Sequence, residues 1–70
     1  MRLSTRNQLP GTIIEVTIGS VMATVKVRLD GGQHVVTASI TKEAVEELGL
    51  EEGKPATVLV KSTEVMLGVD

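Results

Sequence analysis

The sequence predicts an all-β domain with one short helix, a five-stranded OB-like barrel in the order βββαββ. Three observations carry that expectation. From Gly11 the chain reads in short segments of period two up to residue 41, and further short apolar segments follow residue 55, as strands with buried faces require. One stretch between them changes to helical spacing. Glycine-containing breaks separate most of the segments, as strand-to-strand turns require. Three strands, a helix and two strands suit a small barrel with the helix plugging one end, and closure removes edges that would invite aggregation.

The elements follow in order. From Gly11 to Gly19, Ile14, Val16 and Ile18 fall on one face and Ile13, Glu15 and Thr17 on the other. Gly19 and Ser20 make a break. Val21, Ala23, Val25, Val27 and Leu29 then alternate with Met22, Thr24, Lys26 and Arg28, the clearest strand pattern in the chain. Asp30, Gly31 and Gly32 tolerate the positive φ of a hairpin turn, and His34 to Ile40 returns as the third strand. Ile40, Ala44, Val45 and Leu48 form a helical stripe. Thr41 is its expected N-cap, Glu43 is favourable in its first turn and Gly49 is the left-handed stop, so a helix is predicted over Lys42 to Leu48. After the turn at Glu51 to Gly53, Pro55 to Lys61 reads as the fourth strand and Glu64 to Val69 as the fifth.

Size limits what this barrel can do alone. A chain of 70 residues buries only about 60% of the surface its unfolded form exposes, which leaves a lone core marginal. Disulfides, a structural metal or self-association usually supplement such a core. There is no cysteine and a single histidine, so self-association remains. Val58, Leu59 and Val60 are consecutive, which makes that strand apolar on both faces: one can fill the barrel and the other wants a partner.

Composition also excludes function classes. The opening MRLSTRNQLPG has no apolar signal core, and no apolar run approaches the roughly 18 residues of a membrane span, so a cytoplasmic protein is expected, with no membrane partner. Met1 lies three residues ahead of Ser4 and the chain stops at Asp70; a freestanding single domain over residues 1–70 is expected. Seven basic and nine acidic residues give a formal charge of -2, which supplies no global field for nucleic acid. The chain has no Phe, Tyr or Trp on which bases could stack. A nucleic-acid-binding barrel is therefore the disfavoured rival, and a purely structural oligomerisation module is the other.

Catalysis needs an activated nucleophile, a tuned base, a metal or a cofactor loop, and the sequence offers none. His34 reads as a solvent-facing residue after the Gly-Gly-Gln turn, and Glu43, Glu46, Glu47, Glu51 and Glu52 as a solvated face. No metal site built by direct side-chain coordination is expected. Two polar clusters each combine a cation with neutral donors: Ser4-Thr5-Arg6-Asn7, and Lys61-Ser62-Thr63. Thr41 adds a hydroxyl beside the free N–H groups of a helix start. Taken singly, these residues also read as ordinary turn formers, surface cations and a cap.

Ser4-Thr5-Arg6-Asn7-Gln8-Leu9-Pro10-Gly11, Gly19-Ser20-Val21, Ile40-Thr41, Leu48-Gly49-Leu50 and Val60-Lys61-Ser62-Thr63-Glu64-Val65-Met66-Leu67 together resemble the molbindin (Mop) family, molybdate- or molybdenum-pterin-binding proteins of the TOBE type. The likeness runs through essentially the whole chain. It implies a five-stranded barrel that pairs into dimers and assembles as a hexamer, a trimer of dimers, with oxyanions at the subunit interfaces. The role it implies is non-enzymatic binding of molybdate, with tungstate as a second candidate, for intracellular storage or homeostasis. Ser4, Arg6, Thr41, Val60 through its backbone, and Lys61 carry over as the dimer-interface site. Gly19, Ser20 and Val21 carry over as a second site near the threefold axis. The family pattern often has serine at position 44, and here Ala44 removes one hydroxyl. No organic cofactor is expected, since no aromatic ring is present to stack a pterin.

Chemistry agrees with that assignment. Molybdate near neutral pH is an unprotonated dianion, so its site should offer hydroxyls, amides and one or two cations. Ser4, Arg6, Thr41 and Lys61 are such a set. A carboxylate would repel it, and sulfate, equally unprotonated, has to be refused by size.

Overall fold

A computed structural model of the chain describes residues 1–70. Four antiparallel strands, β1 (Asn7–Ile18), β2 (Met22–Leu29), β3 (Val35–Thr41) and β4 (Pro55–Val60), form one curled sheet in the order β3-β2-β1-β4. The helix α1 (Lys42–Leu48) follows β3, and a 3₁₀ turn (Ser62–Glu64) follows β4. No helix is long and apolar enough to cross a membrane.

The three predicted strands ahead of the helix, the helix and the fourth strand are all present. β1 is longer than its alternation suggests, because Asn7 to Thr12 pair with β4 while Gly11 to Ile18 pair with β2. Its faces also differ from the expected set. The register against β2 shifts between Ile13 and Glu15, a bulge that leaves Ile14 without a cross-strand partner and exchanges the two faces of the strand beyond it. Ile13 is therefore 1% exposed at the centre of the core, while Val16, of opposite phase, packs against the same core. Strict alternation had put these two residues on opposite faces. The bulge is braced from outside the sheet, where the Ile13 N–H donates to the Lys54 carbonyl at 2.9 Å and the Ile13 carbonyl accepts from the Gly53 N–H at 2.8 Å.

β2 keeps its predicted phase, with Ala23, Val25 and Val27 buried. Gly11 lies where β1 crosses both neighbours, and a Cβ there would come within 2.5 Å of the Arg28 carbonyl oxygen, so only glycine lets the strands approach this closely. The helix starts and stops as read. Thr41 accepts at 3.0 Å from the Ala44 N–H, and Gly49 ends the helix at φ 62°, a conformation that Cβ penalises. Val45 is the one helical residue that enters the core.

The predicted fifth strand does not form within the chain, and the sheet is a half-barrel of four strands. The 3₁₀ turn, closed by Glu64 N–H to the Lys61 carbonyl at 2.9 Å, turns the backbone away from the free edge of β4. Beyond Val65 no backbone hydrogen bond is made. Met66, Leu67 and Val69 are 90%, 95% and 98% exposed. The alternation of Val65, Leu67 and Val69 records a preference for extended backbone, but a strand also needs a neighbour. The radius of gyration, 12.8 Å, exceeds the roughly 11 Å of a compact chain this long, in keeping with the protruding tail.

The concave side of the half-barrel is correspondingly open. A groove of about 340 Å³ is lined almost entirely by apolar side chains, including Ile13, Val25, Ile40, Leu48, Val58 and Leu59. Only six of the 70 residues are buried, so most of the apolar surface is left for something outside the chain to cover.

Candidate functional site

The predicted site residues gather at the two ends of β1. At its start, Asn7 pairs with Val60, and the Asn7 amide donates to the Val60 carbonyl at 3.1 Å and to the Ser62 hydroxyl at 3.5 Å. Gln8 donates to the Thr5 carbonyl, which holds the Ser4 to Arg6 segment beside the same strand end. Arg6 and Lys61 are the residues next to this last pair, at the adjoining ends of the two strands. Both are exposed, and neither appears in the ion pairs of the chain, which are Lys26–Glu15 at 3.4 Å and Lys54–Glu51 at 3.5 Å. Like charges brought close across a strand pair are unfavourable. An anion between them would relieve that repulsion through charge-assisted bonds. Ser4, Arg6, Val60 and Lys61 thus form one pole.

Thr41 lies at the other pole. It pairs with Met22, and the next N–H along, that of Lys42, donates to the Val21 carbonyl at 2.8 Å. The Gly19 N–H donates to the Met22 carbonyl at 2.8 Å and closes the β1–β2 turn. Thr41 and the Ser20–Val21 pair consequently line one cavity of about 450 Å³, together with Lys42, Glu43 and Glu46. Capping occupies only one lone pair of the Thr41 hydroxyl. Its proton stays free to donate to a ligand, because a hydroxyl carries one donor and two acceptor sites.

The two poles are well separated. β1 is 12 residues long, and the pairing puts one group at its Asn7 end and the other beside its Ile18 end. One chain therefore groups Thr41 with Ser20 and Val21 and keeps it far from Arg6 and Lys61. The side chains that sequence reasoning passed over are Lys42, Glu43 and Glu46. The two glutamates read as part of a solvated face, and the three-residue spacing of Glu43 and Glu46 just after a capping threonine was the available sign that they share a wall. His34 is exposed in the loop before β3.

A profile for the TOBE domain matches residues 3–67. The chain belongs to this family. Over 70 residues, the whole of both chains, it is 43% identical to the "Probable molybdenum-pterin-binding protein" of Haemophilus influenzae. Its fold is similar to that of MopII from Clostridium pasteurianum, with a TM-score of 0.90 and 40% identity over 97% of this chain and 100% of that one. It is also similar to the cytoplasmic molybdate-binding protein ModG with molybdate bound, with a TM-score of 0.91 and 46% identity over 100% of this chain and 49% of that one. The kinship expected from the N-terminal and C-terminal motifs is borne out by these matches.

Proposed function

We propose that this TOBE domain binds molybdate, and tungstate with it, at interfaces between its copies, as a non-enzymatic cytoplasmic protein for storage or homeostasis of the oxyanion. One observation carries the interface: the cation pair Arg6 and Lys61 and the hydroxyl of Thr41 lie at opposite ends of a 12-residue strand. A site using both needs two chains. The separation supports self-association.

The unfinished barrel supports the same reading. The groove between β3 and β4 is apolar and open, and the tail Val65 to Val69 is apolar and unpaired. A second copy supplying its tail would complete the five-stranded barrel and cover both surfaces. Three such pairs closing into a hexamer is the assembly that the family resemblance implies, with Gly19, Ser20 and Val21 toward its threefold axis.

The donor set suits an unprotonated dianion, which accepts hydrogen bonds and gives none. Equilibrium dialysis against molybdate, tungstate, sulfate and phosphate, with bound metal counted, tests the reading. Saturable uptake of the first two is expected. A ligand held only by the assembled state also stabilises it by about 2.7 kcal/mol at 100 times its dissociation constant, so the melting temperature should rise on the order of 10 °C. An unchanged melt at verified saturation counts against interface sites. No uptake by an intact oligomer would favour a purely structural assembly module.

A further inference from the structure

The cavity beside Thr41 contains two groups that the proposed site leaves without a role. Glu43 and Glu46 stand three residues apart on one face of α1 and both line the cavity wall. Both are exposed, and neither takes part in an ion pair of the chain. Lys42, on the same wall, is also unpaired and offsets only one of the two charges. The pole is therefore net negative. At the far end of β1, Arg6 and Lys61 are two cations with no counter-ion. Each end carries a charge that its own chain does not neutralise, and the two are opposite in sign.

We infer that in the unliganded assembly Glu43 and Glu46 of one copy are the counter-ions of Arg6 and Lys61 of the next, and that an incoming oxyanion displaces them. This rests on the interface reading above, in which Thr41 of one copy meets the cation pair of another. Glu43 and Glu46 share the Thr41 cavity and must arrive with it. Two cations brought to an interface without compensation repel each other; two tethered carboxylates neutralise them and steer the docking of the copies. The exchange then shapes selectivity. A doubly charged oxyanion must displace both carboxylates, whereas a monoanion displaces one and leaves the other paired, so the counter-ions lower affinity for dianions more than for monoanions.

The test is the double substitution Glu43→Gln and Glu46→Gln in the full chain, with Glu47→Gln as the control on the same helix but outside the cavity. Sedimentation without ligand reports assembly, and equilibrium dialysis reports affinity for molybdate and for perchlorate as a monoanion. Without ligand, the double variant is expected to dissociate at a concentration roughly two- to fivefold higher than wild type, the scale of exposed ion pairs. It should bind molybdate more tightly by a similar factor and gain less for perchlorate, which has only one carboxylate to displace. Glu47→Gln should match wild type in all three. A double variant indistinguishable from Glu47→Gln in assembly and affinity overturns the counter-ion role while leaving the molybdate site standing. Wild-type protein that takes up no molybdate overturns the interface reading itself, and this inference with it.

Discussion

The two ends of β1 differ in how they are built. At the start of the strand, Arg6 and Lys61 adjoin the Asn7–Val60 pair, and the Asn7 amide ties that pair to the Val60 carbonyl and the Ser62 hydroxyl. At its end, Thr41 and Ser20–Val21 are set together by a helix cap and a tight turn joined through the Lys42 N–H. The first end supplies charge and the second supplies neutral donors beside a carboxylate wall. The 12 residues of β1 keep the two sets apart within one chain. The interface proposed above joins these unlike ends.

The largest effect should come from preventing the ends of two chains from meeting. Ending the chain after Glu64 removes Val65, Met66, Leu67 and Val69, each of which stabilises by about 1.5–3 kcal/mol when fully buried. Sedimentation should then give a monomer, and the melting temperature should no longer depend on protein concentration. Assembly of the shortened chain at wild-type strength would mean that the tail and the groove do not serve one another.

Next in size are the cations. Arg6→Ala and Lys61→Ala should each weaken molybdate binding by about 1.5–3 kcal/mol, the range for hydrogen bonds to charged groups, while the melting temperature without ligand falls only slightly, as the loss of one exposed ion pair across the interface requires. Affinity retained in both variants would remove the start of β1 from the site.

How far the sequence reveals this arrangement depends on whether a feature is local. The helix from Lys42 to Leu48, its threonine cap and its glycine stop were legible because each depends on residues within a turn of one another. The phase of β2 was legible because a strand with one buried face repeats every second residue. Ile13 and Val16 were misassigned to opposite faces because a bulge leaves no mark on hydrophobic periodicity; it depends on the partner's register. The tail after Glu64 looked like a strand for a related reason, since alternation reports a conformational preference and says nothing of which chain holds the neighbouring edge. Arg6 and Lys61 were visible as cations, but their proximity rests on a pairing between residues more than 50 positions apart. The separation of Thr41 from them is a property of strand length, and only the topology reveals it.

At the hydroxyl end the expected effects are smaller and separable. Thr41→Ala removes a cap worth about 1 kcal/mol and a ligand donor together. Thr41→Ser keeps both, since serine caps at least as well as threonine. Calorimetric stability without ligand, compared with affinity by dialysis, distinguishes the two roles. If Thr41→Ala lowers stability but leaves molybdate affinity at the wild-type value, the hydroxyl is a cap alone and the end of β1 contributes through Ser20 and backbone N–H groups.

The smallest effect belongs to Ala44→Ser. Ala44 is half-buried in the first turn of α1, and its N–H is already committed to Thr41. A serine there restores the hydroxyl that the family pattern often carries, adding one neutral hydrogen bond worth about 0.5–1.5 kcal/mol net if it reaches the ligand. Against this, serine is a poorer helix former than alanine by roughly half a kcal/mol, because its hydroxyl competes for nearby backbone groups. The expected result is molybdate affinity raised a few-fold, with a melting temperature without ligand lowered by a few degrees. Because the loss is present in both states and the gain only when ligand is bound, the melt without molybdate should fall while the melt at saturating molybdate falls less or rises. If both melts fall equally, position 44 contributes to the helix and not to the oxyanion, and the hydroxyl end of the site is limited to Thr41 and the Ser20–Val21 turn.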